Sequence, residues 1–572
     1  MKILVVNLTR MGDLLQTTPL LRGLKDQDPN SQLDLMVVSD FRAVADGFDM
    51  LDEVISLDLN SLIPRFGYQA ETVVNLHQDL TGWISDIQKK CYDRVINLSH
   101  TRISASLVRL LDVPDTRGVT LSREGYIIIR HPWLNYFFNV TLSRAYNPIN
   151  LVNMYLGAGD ITNSPKRLFY NVSEEVRLYA KSFLESNLPL TSRPLYGIQP
   201  GAMQESRRWE MSSWVKLCDL IWEELDGVGI LFGAKSDLEL GTQIEAMVKH
   251  TVLNAIGQTT IPELAGLLTH CHTLITNDTG TMHLAAAVET PVVAIFLAAA
   301  RADDTAPYGK GHLILEANLS CAPCDYHHTC PNPVCHRMIT PKVVLQAIQN
   351  HSQNQIPSFP DEEIWKSVRL SLTDFDPWGR LIMRPCIPRP LSRKSLLSLA
   401  YRYLWHIELS EIKTTPNNKD YLSLLESSLE STLPPIESMS FQSDLESLSK
   451  LEELAAMGIE RATIMSNLAS KPDLQVLQKL TAHFVIIDRD IYHWELNHPD
   501  LAPLAIHFRI DKGNIENDDL TSLANKAGAL YGDLKRRAER FQQILQTTVL
   551  FLNKKQKNIS QTKELNSLIL NS

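Results

Sequence analysis

The chain begins with the apolar run Ile3-Leu4-Val5-Val6, and after Asp13 the apolar positions change period, with Leu14, Leu15, Leu20, Leu21 and Leu24 at helical spacing. A short continuous run followed by such a stripe reads as a buried strand, over 2–8, feeding a helix. Apolar runs at 33–38, 54–57 and 94–98 repeat the strand signal. Near Pro194 the pattern starts again. Strands are expected at 195–198, 229–232, 273–276 and 292–296, with helices at 214–225, 261–268 and 281–288 between them. Such alternation implies parallel strands joined by right-handed crossovers. The expected fold class is therefore α/β, with one Rossmann-like domain over 1–180 and a second over 181–354. Open parallel sheets bind ligands outside the carboxyl ends of their strands, so a cleft is expected where the two domains face each other.

The texture changes after 354. Pro357, Pro360, Pro377, Pro385, Pro388 and Pro390 argue against a long regular element, and 355–394 reads as a linker or wrapping segment. Beyond it, 395–572 reads as a mainly helical extension. Leu520, Leu523, Ala527, Leu530, Leu534, Ala538, Phe541 and Leu545 recur at spacings of three and four there, an amphipathic stripe.

Charge and composition narrow the function classes. A net charge of −10 argues against a general electrostatic grip on nucleic acid. No apolar run reaches the roughly 20 residues that span a bilayer. The first run meets Arg10 and Asp13 almost at once, so it reads as a strand and not as a signal peptide. The expectation is a cytoplasmic protein whose eight cysteines are not presumed to be disulfides.

Three loops carry candidate chemistry. Arg10-Met11-Gly12-Asp13 joins a strand to a helix through one glycine, unlike the three-glycine dinucleotide fingerprint. Asp13 would repel a phosphate at that point. It is placed either to act as general base on a neutral hydroxyl or to start the helix, where a carboxylate favours the dipole. The loop Asn277-Asp278-Thr279-Gly280-Thr281-Met282-His283 runs from a strand into a helix, with backbone amides at the helix start for an anion. Thr279 and Thr281 add hydroxyls, Gly280 allows close approach, and His283 adds a donor or a positive charge. A diphosphate is the natural guest; the alternative is an N-cap by Asp278 with no ligand. In the third loop, Gln199-Pro200-Gly201-Ala202 is followed by Arg207, Arg208 and Trp209. Two arginines could neutralise a departing diphosphate without a metal, or could be a solvated surface pair.

These stretches, with Gln16-Thr17-Thr18-Pro19-Leu20-Leu21 and Tyr92-Asp93-Arg94-Val95-Ile96-Asn97-Leu98, resemble glycosyltransferase family 9, the heptosyltransferases of bacterial lipopolysaccharide assembly. The resemblance covers some 350 residues. It implies a GT-B architecture, inversion at the sugar carbon and an ADP-heptose donor, with no metal required for catalysis. It puts Asp13 at the family's catalytic base, beside Arg10 and Gly12 in an acceptor-side loop. Donor contacts fall on Arg207, Arg208, Asp278, Thr279, Gly280, Thr281 and His283, and Asp237 falls where an acidic residue meets the nucleoside ribose. The implied acceptor is a lipid-linked saccharide or a protein. Membrane contact would be at most peripheral, at the inner face of the inner membrane. Two departures stand out: Leu297-Ala298-Ala299-Ala300-Arg301 replaces a Gly-Pro-Thr-like turn, and the helical extension has no counterpart.

Cys321, Cys324, Cys330 and Cys335 lie within 15 residues of one another, with His327, His328 and His336 close by. The spacing leaves two readings open, a structural zinc or iron site or free, oxidisable thiols, in either case expected away from the reaction centre. The competing functions are a GT-B enzyme acting on another nucleotide sugar, such as an epimerase, a protein heptosyltransferase, and a non-catalytic nucleotide-binding scaffold.

Overall fold

The computed structural model describes residues 1–58, 70–188, 192–324, 330–351, 366–387, 391–410, 418–428, 441–468, 473–516 and 519–570. His327, His328, Pro357, Pro360, Pro388 and Pro390 lie outside them. Two compact units emerge. One comprises 1–117 with 149–387, the other 118–148 with 388–572.

The first unit contains both expected sheets. Strands β1 (Lys2–Val6), β2 (Gln32–Val38), β3 (Glu53–Leu57) and β4 (Arg94–Asn97) run parallel in the order β3-β2-β1-β4, with β5 (Asp115–Leu121) next to β4. Ile3, Leu4, Val5 and Val6 are fully buried, as expected for a central strand covered by helices on both faces. The second sheet is built from β7 (Leu195–Gln199), β8 (Val228–Leu231), β9 (Val252–Asn254), β10 (Cys271–Asn277), β11 (Val292–Phe296) and β12 (Leu313–Ala317). Its parallel strands follow the order β9-β8-β7-β10-β11-β12. Both sheets reverse strand order beside their first strand, between β1 and β4 and between β7 and β10. Ligands of doubly wound sheets bind at that switch point. The unit has the GT-B pairing of two Rossmann-like domains.

The proline-rich stretch holds a surprise. Strands β13 (Val368–Phe375) and β14 (Leu381–Pro385) add antiparallel to the β12 edge of the second sheet. The prolines permit this by position: Pro377 lies in the turn and Pro385 ends the edge strand, where a missing N–H breaks no ladder.

The second unit is mainly helical. Its helices are Pro132–Asn139, Arg393–Leu409, Asn418–Ser428, Gln442–Leu468, Leu474–Asn497, Ala502–Gly513 and Leu520–Leu570. Residues 118–121 of β5 pair antiparallel with β6 (Ile127–Arg130) in the same unit. On the long final helix Leu534, Ala538, Phe541 and Leu545 are fully buried, but Ala524 and Tyr531 fill the upper core in place of Ala527 and Leu530. Tyr531 lies over Gly458 of the neighbouring helix, in space that a side chain there would occupy. Among the described residues no helix is long and apolar enough to cross a membrane.

Candidate functional site: two facing loops at the sheet switch points

Three of the strands that flank the switch points end at a fully buried asparagine: Asn7 just after β1, Asn97 closing β4 and Asn277 closing β10. Each uses its amide to fix a loop. Asn7 Nδ2 donates to Thr17 Oγ1 at 2.8 Å, and its Oδ1 accepts from the Thr9 amide at 3.2 Å. Asn277 Nδ2 donates to the carbonyl of Pro200 at 2.8 Å, while its Oδ1 accepts from the Trp209 amide at 3.1 Å. Asn277 thus ties the loop after β10 to the loop after β7. Trp209 is itself buried, edge-on to Trp214, with Nε1 donating to the Ile339 carbonyl at 2.9 Å. Residue pattern alone did not reveal these asparagines as organisers; a buried amide repeated at strand ends was the available signal.

On the first sheet, helix Met11–Gln27 starts at Arg10, and Asp13 occupies its third position. The Asp13 carboxylate accepts from the Arg10 amide at 3.5 Å. Burial raises its pKa above the ordinary range, working against the Arg10 amide, Thr9 and the charges of Arg10 and His100. Buried Tyr155 feels the same carboxylate.

The second sheet presents its loop directly opposite. A Cβ on Gly12 would stand 3.2 Å from His283 Cδ2 and 3.6 Å from Gly280 Cα, and a Cβ on Gly280 would stand 3.2 Å from Met11 Sδ. Glycine at both positions is what allows the two loops to meet. Helix Gly280–Ala287 is preceded by Thr279 as N-cap, whose side chain makes no capping hydrogen bond. The N-cap reading of Asp278 is therefore corrected. Its carboxylate instead pairs with Arg207, Oδ2 to Nη1 at 2.7 Å, with only 11% and 14% of the two side chains exposed. The positive-charge option for His283 is corrected too. Burial, with His312 nearby, lowers its pKa to about 3, so the imidazole is neutral. Its Nδ1 is buried and has no hydrogen-bond partner among the described residues. Thr279 Oγ1 lies 3.2 Å from Thr276 Oγ1, and Thr281 is buried.

Arg207 and Arg208 diverge. Arg207 joins the β10 loop through Asp278, so it is no solvated surface group. Arg208 donates Nε to the Ala202 carbonyl at 2.8 Å and lies 3.6 Å from the Asp237 carboxylate. Asp237 is buried and accepts from the Ala234 amide at 3.2 Å. A Cβ on Gly201 would fall 2.5 Å from Asp237 Oδ2, so the glycine leaves room for this carboxylate.

The cysteine segment is anchored closer to these loops than expected. The Cys324 amide donates to the Ala298 carbonyl at 2.9 Å, in the turn that replaces Gly-Pro-Thr, where Ala298 holds φ +52°. His336 Nε2 lies 2.9 Å from the Ser206 carbonyl, one residue from Arg207. The expectation of a remote segment is corrected accordingly. Burial raises the Cys324 pKa, and Cys335, Cys321 and Cys330 add to it. All eight cysteines are free thiols. Among the described residues no three His, Cys, Asp or Glu converge to hold a metal ion. The four thiols therefore do not fit a tetrahedral site in this arrangement.

Residues 83–335 match the family model described as glycosyltransferase family 9 (heptosyltransferase). That segment of the chain is similar to the family 9 glycosyltransferases. The transferase is 26% identical over 311 residues to lipopolysaccharide heptosyltransferase 2 of Salmonella typhimurium, covering 52% of this chain and 82% of that one. It is 24% identical over 305 residues to lipooligosaccharide heptosyltransferase 2 of Haemophilus ducreyi, covering 51% and 81%. A solved structure of the ADP-heptose lps heptosyltransferase II of E. coli aligns over 62% of this transferase and 100% of that chain, with 22% identity and a TM-score of 0.45. The matches to the two relatives span about half of this chain and most of theirs.

Proposed function

We propose that this transferase moves heptose from ADP-heptose to a hydroxyl of a lipopolysaccharide-core saccharide, with inversion and without a catalytic metal. The observation that carries the proposal is Asp13. Its carboxylate is held on the first sheet's switch-point loop, with a pKa raised by burial, opposite the helix start at Gly280. A raised pKa makes a carboxylate a better proton acceptor. Asp13 takes the acceptor hydroxyl's proton as that oxygen attacks the anomeric carbon from the face opposite the diphosphate. The departing diphosphate takes up negative charge beside the Gly280 and Thr281 amides, Arg207 and a neutral His283 that can donate one hydrogen bond. Arg207 is already oriented by Asp278, so little reorganisation is needed when charge develops. Arg208 and Asp237 brace the loop after β7, with Asp237 as the reading for the ribose contact. Two relatives named as heptosyltransferases support the sugar. The resemblance in the three loops supports the ADP donor. Peripheral contact at the inner face of the inner membrane follows if the acceptor is lipid-linked.

The test is the product's anomeric configuration by proton NMR, using protein dialysed against EDTA. Inverted product in undiminished yield is expected. Retained configuration, or activity that returns only with a divalent cation, would overturn the mechanism.

A further inference from the structure

The mainly helical unit buries a hydrogen-bonded relay that the transfer reaction does not use. At its centre Asp511 ties two helices together, Pro132–Asn139 and its own, Ala502–Gly513. Its Oδ2 lies 2.9 Å from His507 Nδ1, one turn back on the same helix. Its Oδ1 accepts from Asn135 Nδ2 on the other helix. Asn135 Oδ1 in turn accepts from Asn139 Nδ2 at 3.2 Å and from Asn514 Nδ2 at 3.1 Å. These partners set two orientations. In the neutral ring the carboxylate holds the His507 proton on Nδ1 and leaves Nε2 as an acceptor. Asn135 takes the NH2 end of Asn139 and leaves that residue's Oδ1 turned away from the relay. Arg537 Nη1 sits behind the ring, 3.2 Å from Nδ1 and 3.1 Å from Asp511 Oδ2.

His507 Nε2 and Asn139 Oδ1 are the two ends left over. Both atoms are buried without a hydrogen-bond partner among the described residues, and the two residues are only 3% and 4% exposed. Both residues line one narrow crevice, with Tyr136, Ser143, Tyr146 and Trp405, and it has room for a water-sized group, about 10 Å³. Trp405 stacks on the His507 ring, with centroids 4.9 Å apart and planes at 22°, and meets Tyr136 at 5.2 Å. Tyr146 gives its hydroxyl proton to Asp500, so its oxygen offers only lone pairs. Buried acceptors are costly to leave unpaired, and a ligand that donates to both removes that cost.

We propose that this crevice binds a primary ammonium group carried by a small molecule. The number of donors selects it. Two acceptors line a space for one heavy atom, so that atom needs two donors. A hydroxyl has one, and a guanidinium is too broad for the space. An ammonium has three, for His507 Nε2, Asn139 Oδ1 and the oxygen of Tyr146 or Ser143. The aromatic walls add a cation–π attraction that a water molecule does not gain. The site lies wholly within the helical unit and is independent of the transfer reaction.

The experiment titrates the full-length chain with methylammonium, tetramethylammonium and methanol, each followed by saturation-transfer NMR. Tetramethylammonium keeps the charge without an N–H donor, and methanol has one donor and no charge. Methylammonium is expected to bind about tenfold or more tighter than either, the range of charge-assisted contacts. Asn139→Leu removes one acceptor at nearly constant volume and should weaken methylammonium about tenfold. Ser143→Val, at a half-buried position, narrows the crevice and should abolish binding while the circular dichroism spectrum stays that of wild type. If Asn139→Leu does not fold, Ser143→Val decides. Equal affinity for the three probes would overturn the proposal and leave the crevice to water. Methylammonium binding that the folded variants retain in full would overturn it as well.

Discussion

Arg207 and Asp278 lie 71 residues apart and meet at 2.7 Å with most of both side chains buried. Charge centres about 4 Å apart attract by about 4 kcal/mol at an effective dielectric of 20, before desolvation is subtracted. Removing one partner of a buried pair costs about 3–5 kcal/mol in comparable pairs. The two single losses should differ. In Asp278→Asn the guanidinium remains near a helix N-terminus that disfavours it. In Arg207→Met the carboxylate remains before the Gly280 helix, whose dipole returns about 0.3–1 kcal/mol. Asp278→Asn is therefore expected to be the more damaging single change. The double variant should lose much less than the sum, with a coupling of about 2–3 kcal/mol. Native-state hydrogen exchange at the amides of β10 and β11 measures this opening without requiring the two units to unfold together. ADP affinity provides a second reading: Arg207→Met should weaken it about tenfold or more. Additive stability losses, with coupling below about 0.5 kcal/mol, would refute the pairing as the element that fixes this loop.

The remaining expectations concern other residues. His283 is neutral when folded, with a pKa near 3, whereas an unfolded histidine titrates near 6.5. The unfolded state alone binds that proton between those values, so stability falls with acidification by up to about 1.4 kcal/mol per pH unit below about 6.5. His283→Leu should flatten that part of the stability–pH curve, and an unchanged slope would contradict the assignment. Gly201→Ala places a methyl on the Asp237 carboxylate and should cost about 1–3 kcal/mol while weakening donor binding more than acceptor binding. In the helical unit, Gly458→Ala gains up to about 1 kcal/mol of helix propensity but drives Tyr531 from its seat. The overpacking, about 1–3 kcal/mol, should win, and a raised Tm would show that Tyr531 repacks freely.

Much of the first unit was legible because its strands are short apolar runs between helices. The run at 292–296 coincides with β11, and the helix at 261–268 with its observed bounds. What escaped was set by long-range contacts. No local pattern reveals that Arg207 meets Asp278, or that Arg208 turns the other way to Asp237. Proline density masked β13 and β14 because their prolines lie at a turn and at an edge. On the final helix Ala527 and Leu530 of the expected stripe are only half-buried, while Ala524 and Tyr531 are buried. Gly458 on a neighbour opens space for Tyr531, and the buried face shifts to follow it. The charge of His283 was also invisible to spacing, since it depends on burial against the opposite loop.

The central claim is that Asp13 removes the acceptor proton. It is tested most directly by ADP release from ADP-heptose, with and without acceptor, comparing wild type with Asp13→Asn across pH. The account predicts acceptor-dependent release whose acidic limb lies above the ordinary aspartate value of about 3.9, because burial raises the group. Asp13→Asn should lower kcat by about 10²–10⁴-fold with KM little changed, and the acidic limb should vanish. An Asp13→Asn variant that keeps wild-type turnover, or keeps the same acidic limb, would contradict it.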